Sequence, residues 1–171
     1  FGITFMNPPH PLSNLIDVVK VNDALVRLLL PISLDNVYEA IVTEAIKLVG
    51  AVYGSIFLFD EKTQTFNRAY TNVKKNQQFL PRANGNTYWV YINNKPRLVP
   101  REILAKAHPE IDKIVHSVLL IPLSYQNEKL GVLSLKSSLK APFTQADTDG
   151  LILFGTTASI AIRNAQLYKQ N

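Results

Sequence analysis

The apolar positions along the chain change their period three times, and each change marks an element. After NPPHP, where prolines lack donors and keep their neighbours extended, apolar residues recur at Leu15, Val18, Leu25 and Leu29, with Asn22 in the same stripe. Ser13 offers an N-cap hydroxyl and Pro31 ends the pattern, so a first helix is predicted. Ser33 caps a second, with Leu34, Val37, Ile41, Ala45 and Leu48 on one face and Gly50 closing it. The period then drops. YGSIFLFD is rich in aromatic and β-branched residues and too short for a buried helix, which predicts a strand. EKTQ turns the chain. TFNRAYTNV alternates, with Phe66, Arg68, Tyr70 and Asn72 on one face and Asn67, Ala69, Thr71 and Val73 on the other, as a more polar strand near an edge would.

The middle is less regular. Residues 74–85 are polar and predict a loop; NTYWVYINN fits a short helix or a strand; PRLVP is extended; REILAKAHPEIDKIV gives a helical turn or two, broken at Pro109. In HSVLLIPLSYQNEKLGVLSLKSS two apolar runs flank YQNEK, which predicts a hairpin. Both runs are apolar on both faces, so the strands Ser117–Tyr125 and Lys129–Ser137 belong in the middle of a sheet covered on two sides. Thr144 and Asp147 then form a Thr-x-x-Asp capping box, and a helix runs to the end of the chain. Helix, helix, strand, strand, irregular middle, strand, strand, helix is an α+β order with an antiparallel sheet.

Composition narrows the chemistry more than the fold. The 171 residues suit one domain. The absence of cysteine excludes disulfides, thiolate metal sites, thiol catalysis and any cofactor attached through sulfur. The formal charge of +5 is spread thinly, densest at Lys74-Lys75, without the basic stripe and interleaved aromatics of a nucleic-acid surface. No apolar run reaches transmembrane length, and FGITFMNPPHPLSNL has no signal-peptide pattern. A first residue other than Met, and a last helix with no stop signal after Tyr168, fit a piece of a longer, cytoplasmic protein.

Together these segments resemble a GAF domain, the small sensory module of many signalling proteins. LDNVYEAIVTEAIKLVGAVYGSIFLFD resembles the opening helix and first strand, GNTYWVYINNKPRLVP the segment before the central strands, HSVLLIPLSYQNEKLGVLSLKSS the central hairpin, and FTQADTDGLILFGTTASIAIRNAQLY the closing helix. The resemblance implies a twisted antiparallel sheet with the terminal helices on one face and a loop-and-helix layer, often enclosing a ligand, on the other. It divides the chain into residues 1–32, an extended segment and linker or signalling helix, and residues 33–171, the GAF domain with its C-terminal signalling helix.

The resemblance also points to a site, and the residues depart from it in several places. Trp89 matches a Gly-Trp of the family, with Tyr88 in place of the Gly; His116 stands where many relatives have Arg; Arg101-Glu102 replaces a common Asp. Of the family's cyclic-nucleotide signature, Lys136, Phe143 and Asp147 are kept, but Leu135 and Thr148 take the Asn and Glu positions. The Lys136–Asp147 pair has a structural reading as a salt bridge from a strand end to the first turn of a helix. Covalent bilin attachment and methionine-sulfoxide reduction need thiols that this chain lacks, and non-covalent haem would need His108 or His116. The candidate ligand-binding residues are Phe57, Tyr70, Tyr88, Trp89, Tyr91, Arg97, His116 and Ser117, which would suit a planar or anionic small molecule; the other reading is that the aromatics fill the space as ordinary core. No nucleophile elbow, phosphate loop, dinucleotide fingerprint or metal-spaced His pair is present.

The expected function is therefore a non-catalytic sensory module of a larger signalling protein, such as a histidine kinase or cyclic-dinucleotide enzyme, that binds an unidentified small molecule and transmits its state through the terminal helices. The alternative is a ligand-free GAF dimerisation or protein-interaction module. Either makes flanking signalling domains and a second copy the expected partners, without nucleic acid or membrane. The seam Leu15, Val18, Asn22, Leu25, Leu29 and the two apolar stripes of the last helix, Leu151, Phe154, Ala158, Ala161, Ala165, Tyr168 and Leu153, Ile160, Leu167, are where a homodimer would form.

Overall fold

The computed structural model describes residues 20–25, 27, 33–74, 80–107, 115–138 and 142–170. The chain forms one five-stranded sheet with helices on both faces. Helix α1, Leu34–Val49, begins at Ser33, whose hydroxyl accepts from the Asn36 amide at 3.3 Å, and stops at Gly50 in the left-handed region (φ 67°). Strands β1, Tyr53–Asp60, and β2, Thr65–Thr71, form a hairpin. Then come helix α2, Asn86–Asn93, the short strand β3, Arg97–Pro100, and helix α3, Arg101–Ala107. Strands β4, Val115–Tyr125, and β5, Glu128–Ser138, lead to helix α4, Gln145–Gln170.

The sheet order is β2-β1-β5-β4-β3, antiparallel throughout, so the two strands predicted to be internal are internal and β2 lies at an edge. Gly131 permits the close approach of β5 to β1: a Cβ there would lie 1.9 Å from the Phe57 carbonyl oxygen. Pro122 sits inside β4 because β3 has already ended; Arg97, its first residue, is opposite Leu120, so beyond that point only the β5 side carries a ladder.

Two cores flank the sheet. On one face α1 and α4 pack Val37, Ile41, Ala45, Leu151, Phe154, Ala158 and Ile162 against Ile56, Leu119, Ile121, Leu133 and Leu135. The capping box starts α4 reciprocally: the Thr144 amide donates to the Asp147 carboxylate at 2.7 Å, and the Asp147 amide donates to the Thr144 hydroxyl at 3.3 Å. The other face carries α2 and α3 over Phe57, Phe66, Val99, Val118, Leu120 and Val132. This is the α+β, two-faced arrangement expected. NTYWVYINN resolves as a helix, entered at Gly85 and ended at Asn94 in the left-handed region (φ 52°).

Of the first predicted helix, residues 20–25 are helical; Ser13, Leu15, Val18, Leu29 and Pro31 lie outside the described residues. Ala24 is buried in the main core, Leu25 packs against it and Asn22 is exposed. Arg27 reaches the buried Glu44 carboxylate of α1 at 3.2 Å, tying this segment to the domain.

Candidate functional site

The candidate site is the sheet face beneath α2 and α3. Strand alternation, read with the register, decides which side chains reach it. Phe57 is in the second core, so Tyr53, Ser55 and Phe59 of β1 share its face; Val132 brings Ser134 and Lys136 of β5; Val118 and Leu120 bring His116 of β4; Val99 brings Arg97 of β3. The register lines up Thr71, Ser55, Ser134, Leu120 and Arg97 across all five strands, a row of hydroxyls along the floor of an otherwise apolar core. The Ser55 hydroxyl donates to Thr71 Oγ1 at 2.9 Å, and its cross-strand neighbour Ser134 is also buried.

Helix α2 forms the wall. Val90 and Tyr91 are buried, and Phe59, Phe66, Tyr88 and Tyr91 form a ring cluster, with Phe59 to Tyr91 at 4.4 Å and Phe59 to Phe66 at 5.0 Å between centroids. Burial holds the Tyr91 phenol neutral beyond its ordinary range, and the nearby Glu61 carboxylate adds to this. Trp89 points toward β3, where the Arg97 guanidinium lies 3.6 Å from the centre of its ring and donates to Asn86 Oδ1 at 3.1 Å. At the far end Arg101, which opens α3, donates through Nη1 to the Val115 carbonyl. His116 is half-buried, and its Nδ1 is buried without a hydrogen-bond partner. Among the described residues no cluster of His, Asp or Glu has the makings of a metal site.

Six of the eight residues expected to bind a ligand, namely Phe57, Tyr88, Trp89, Tyr91, Arg97 and His116, come together on this face. Tyr70 and Ser117 do not. Tyr70 is paired with Ile56 and packs on the α1 side, where burial and the Glu39 carboxylate keep its phenol protonated beyond the usual range. The cause is a bulge at Ala69, between the pairs Ile56–Tyr70 and Phe57–Arg68, which shifts the alternation of β2 by one residue. Ser117 shares the α4 face with Leu119 and Ile121, and its hydroxyl lies 2.6 Å from that of Ser137. A second bulge, at His116, separates Val115 from Ser117 and puts both Val115 and His116 on the α2–α3 side. The floor residues Ser55, Ser134 and Arg68 are not among the expected ligand-binding residues, and the register with Phe57 and Val132 identifies them; Lys136, known from the sequence only as part of the signature, joins them by the same register. His108 lies outside the described residues.

A family model described as GAF domain matches residues 31–163, most of the chain and all five strands. The chain belongs to the GAF domain family. No curated protein matches it by sequence. Its fold is similar to the GAF domain of a phosphoenolpyruvate-protein phosphotransferase from Coxiella burnetii (TM-score 0.76, 16% identity, 91% of this chain and 97% of that one). It is also similar to the GAF domain of a putative sensor histidine kinase from Pseudomonas syringae pv. tomato (TM-score 0.63, 15% identity, 93% of each). The Stigmatella aurantiaca phytochrome photosensory core module aligns with TM-score 0.70 at 14% identity over 95% of this chain and 39% of that longer one. These identities establish the shared fold and leave the ligand open. Within the GAF frame, the Asp147 carboxylate caps α4 through the Thr144 amide.

Proposed function

We propose that this GAF domain is a non-catalytic sensory module that holds a small molecule between the α2–α3 layer and the sheet. The observation that carries the reading is His116 Nδ1, a buried polar atom with no hydrogen-bond partner, on the same face as the buried Ser134. Buried polar groups are nearly always paired, and an unpaired one beside aromatic rings on this face of a GAF sheet calls for a hydrogen-bonding guest. The neighbouring aromatic rings and the Arg97–Trp89 stack suit a planar molecule with polar edges. In this reading the domain works in the cytoplasm as a homodimer within a larger signalling protein, such as a histidine kinase, and the terminal helices carry the ligand state to the flanking domains. The exposed stripe of α4 supports the dimer: Leu153 and Leu167, 58% and 50% exposed, are two heptads apart, with half-buried Ile160 midway.

A second reading keeps the dimer and removes the ligand. It is favoured by the Phe59–Phe66–Tyr88–Tyr91 cluster, which fills part of the layer with rings. A native mass spectrum of the protein purified from its source separates the two. A stoichiometric small molecule supports the sensor; a bare chain that is still a dimer supports the second reading.

A further inference from the structure

The tip of the β4–β5 hairpin touches both layers of the domain. Its loop is two residues, Gln126 and Asn127, between the paired Tyr125 and Glu128. Adjacent strand residues point to opposite faces, and here they point to the two layers that the sheet otherwise keeps apart. Lys129 and its cross-strand partner Ser124 face α2. The Lys129 ammonium donates to the Ile92 carbonyl at 2.7 Å, and the Ser124 hydroxyl donates to Asn94 Oδ1 at 2.6 Å. Ile92 is in the last turn of α2, whose final carbonyls have no partner within the helix and attract a cation. Glu128 faces the other way and forms an ion pair of 2.7 Å with Arg163, two turns from the end of α4. The chain Asn94/Ile92, Ser124/Lys129, Glu128, Arg163 thus runs from the wall of the candidate site to the last turns of the C-terminal helix through one two-residue turn.

We propose that this hairpin tip is the coupling element of the domain: Lys129 and Ser124 sense the position of the α2 C-terminus, and Glu128 sets the order of the last turns of α4 through Arg163. The two ends are joined by adjacent residues of one strand, so a displacement of α2 moves Glu128 with Lys129. Arg163, Glu128, Lys129 and Ser124 are positioning residues. The use of this coupling in signalling rests on the reading that a ligand occupies the α2 layer, but the coupling itself is a property of the free domain and is tested without a ligand.

The test is native-state hydrogen exchange of the domain, read by peptide mass spectrometry, with each end perturbed and the opposite end observed. Arg163→Met removes the pair on α4, and the expected result is exchange in α2 (Tyr88–Ile92) about two- to fivefold faster, the range that an exposed ion pair supplies. Lys129→Met removes the anchor on α2, and exchange in Arg163–Tyr168 of α4 speeds up by the same factor, because coupling between two sites is reciprocal. The swapped pair Glu128→Arg with Arg163→Glu, which re-forms the ion pair, returns α2 exchange to the wild-type rate. The β5 amides of Leu133 and Leu135 report global opening and stay unchanged. Changes confined to the helix that was mutated, or equal changes in α2, α4 and β5, overturn the proposal.

Discussion

Arg97 is expected to hold the wall of the site in place, and its removal has a calculable cost. Its guanidinium stacks 3.6 Å from the Trp89 ring centre and donates to Asn86 at 3.1 Å, so one side chain on β3 fixes both the first residue of α2 and its fourth. A cation–π contact is worth ~0.5–1 kcal/mol when exposed and ~2 when desolvated. Arg97 and Trp89 are both half-buried, which favours about 1 kcal/mol. The hydrogen bond to the neutral Asn86 amide adds a further ~0.5–1 kcal/mol. Arg97→Met keeps the aliphatic stem over the ring and loses both terms, so the variant is expected to be less stable by roughly 1.5–2 kcal/mol. Trp89 is the sole tryptophan, so its fluorescence during urea unfolding reports on this spot without interference. With a urea m-value of about 2 kcal/mol/M the midpoint drops by about 0.75–1 M at constant m. Arg97→Lys keeps the charge without the planar fork and falls between the two. A midpoint within ~0.2 M of wild type for Arg97→Met, or a Lys variant as stable as Arg, would mean that the stack and the hydrogen bond do not hold α2.

Charges in the exposed α4 stripe, Leu153→Glu with Leu167→Glu, are expected to leave the fold intact and convert a dimer to a monomer in sedimentation; a wild type that is monomeric at high concentration removes the dimer from the account. Leu25→Glu is a poorer probe of that interface, since Leu25 packs against the domain's own core. Gly131→Ala forces a Cβ to within 1.9 Å of the Phe57 carbonyl oxygen and 2.9 Å of the Leu58 Cα, backbone atoms that move only with β1, and is expected to cost about 3 kcal/mol in urea unfolding; a loss under ~1 kcal/mol contradicts the close β1–β5 approach. Tyr38 and Tyr91 both have phenol pKa values raised chiefly by burial. Their unfolded forms ionise near pH 10, before the folded ones, so stability from these groups is full below about pH 10 and is lost as pH rises through the folded values. Tyr38→Phe with Tyr91→Phe is expected to flatten that alkaline decline in urea midpoints, and an unchanged slope would place the proton release elsewhere.

The fold was legible where local chemistry and burial agree. YGSIFLFD is a strand over the span its composition marks, Ser33 and Gly50 bound α1, and Thr144 and Asp147 start α4. The two-sided apolarity of SVLLIPL placed β4 inside the sheet despite Pro122, because that residue falls where β3 has ended. NTYWVYINN was not legible, since eight residues hold barely two helical turns and its aromatic residues favour strands as well. The site was legible only in part, for a different reason. Alternation predicts a face correctly until an extra residue is inserted: the bulge at Ala69 turns Tyr70 away, and the bulge at His116 puts Val115 on the site's side, while Ser117, next to His116, faces α4 by plain alternation with Leu119 and Ile121. The same dependence on register hid Ser55 and Ser134, small polar residues that gain meaning only when pairing aligns them beneath α2.

In the proposed sensor, a small molecule rests on the hydroxyl floor between β1, β5 and β4. Ser134 is buried, across from Ser55 and Leu120, so Ser134→Ala removes a hydroxyl the ligand would need and Ser134→Leu adds apolar volume where the ligand would rest. Native mass spectra of wild type and Ser134→Leu, both purified from the source organism, test this most directly. The expected result is one small molecule per chain in the wild type and none in the variant, with the same oligomeric state. A bare wild type, or a variant that keeps the same bound mass at full occupancy, would contradict it.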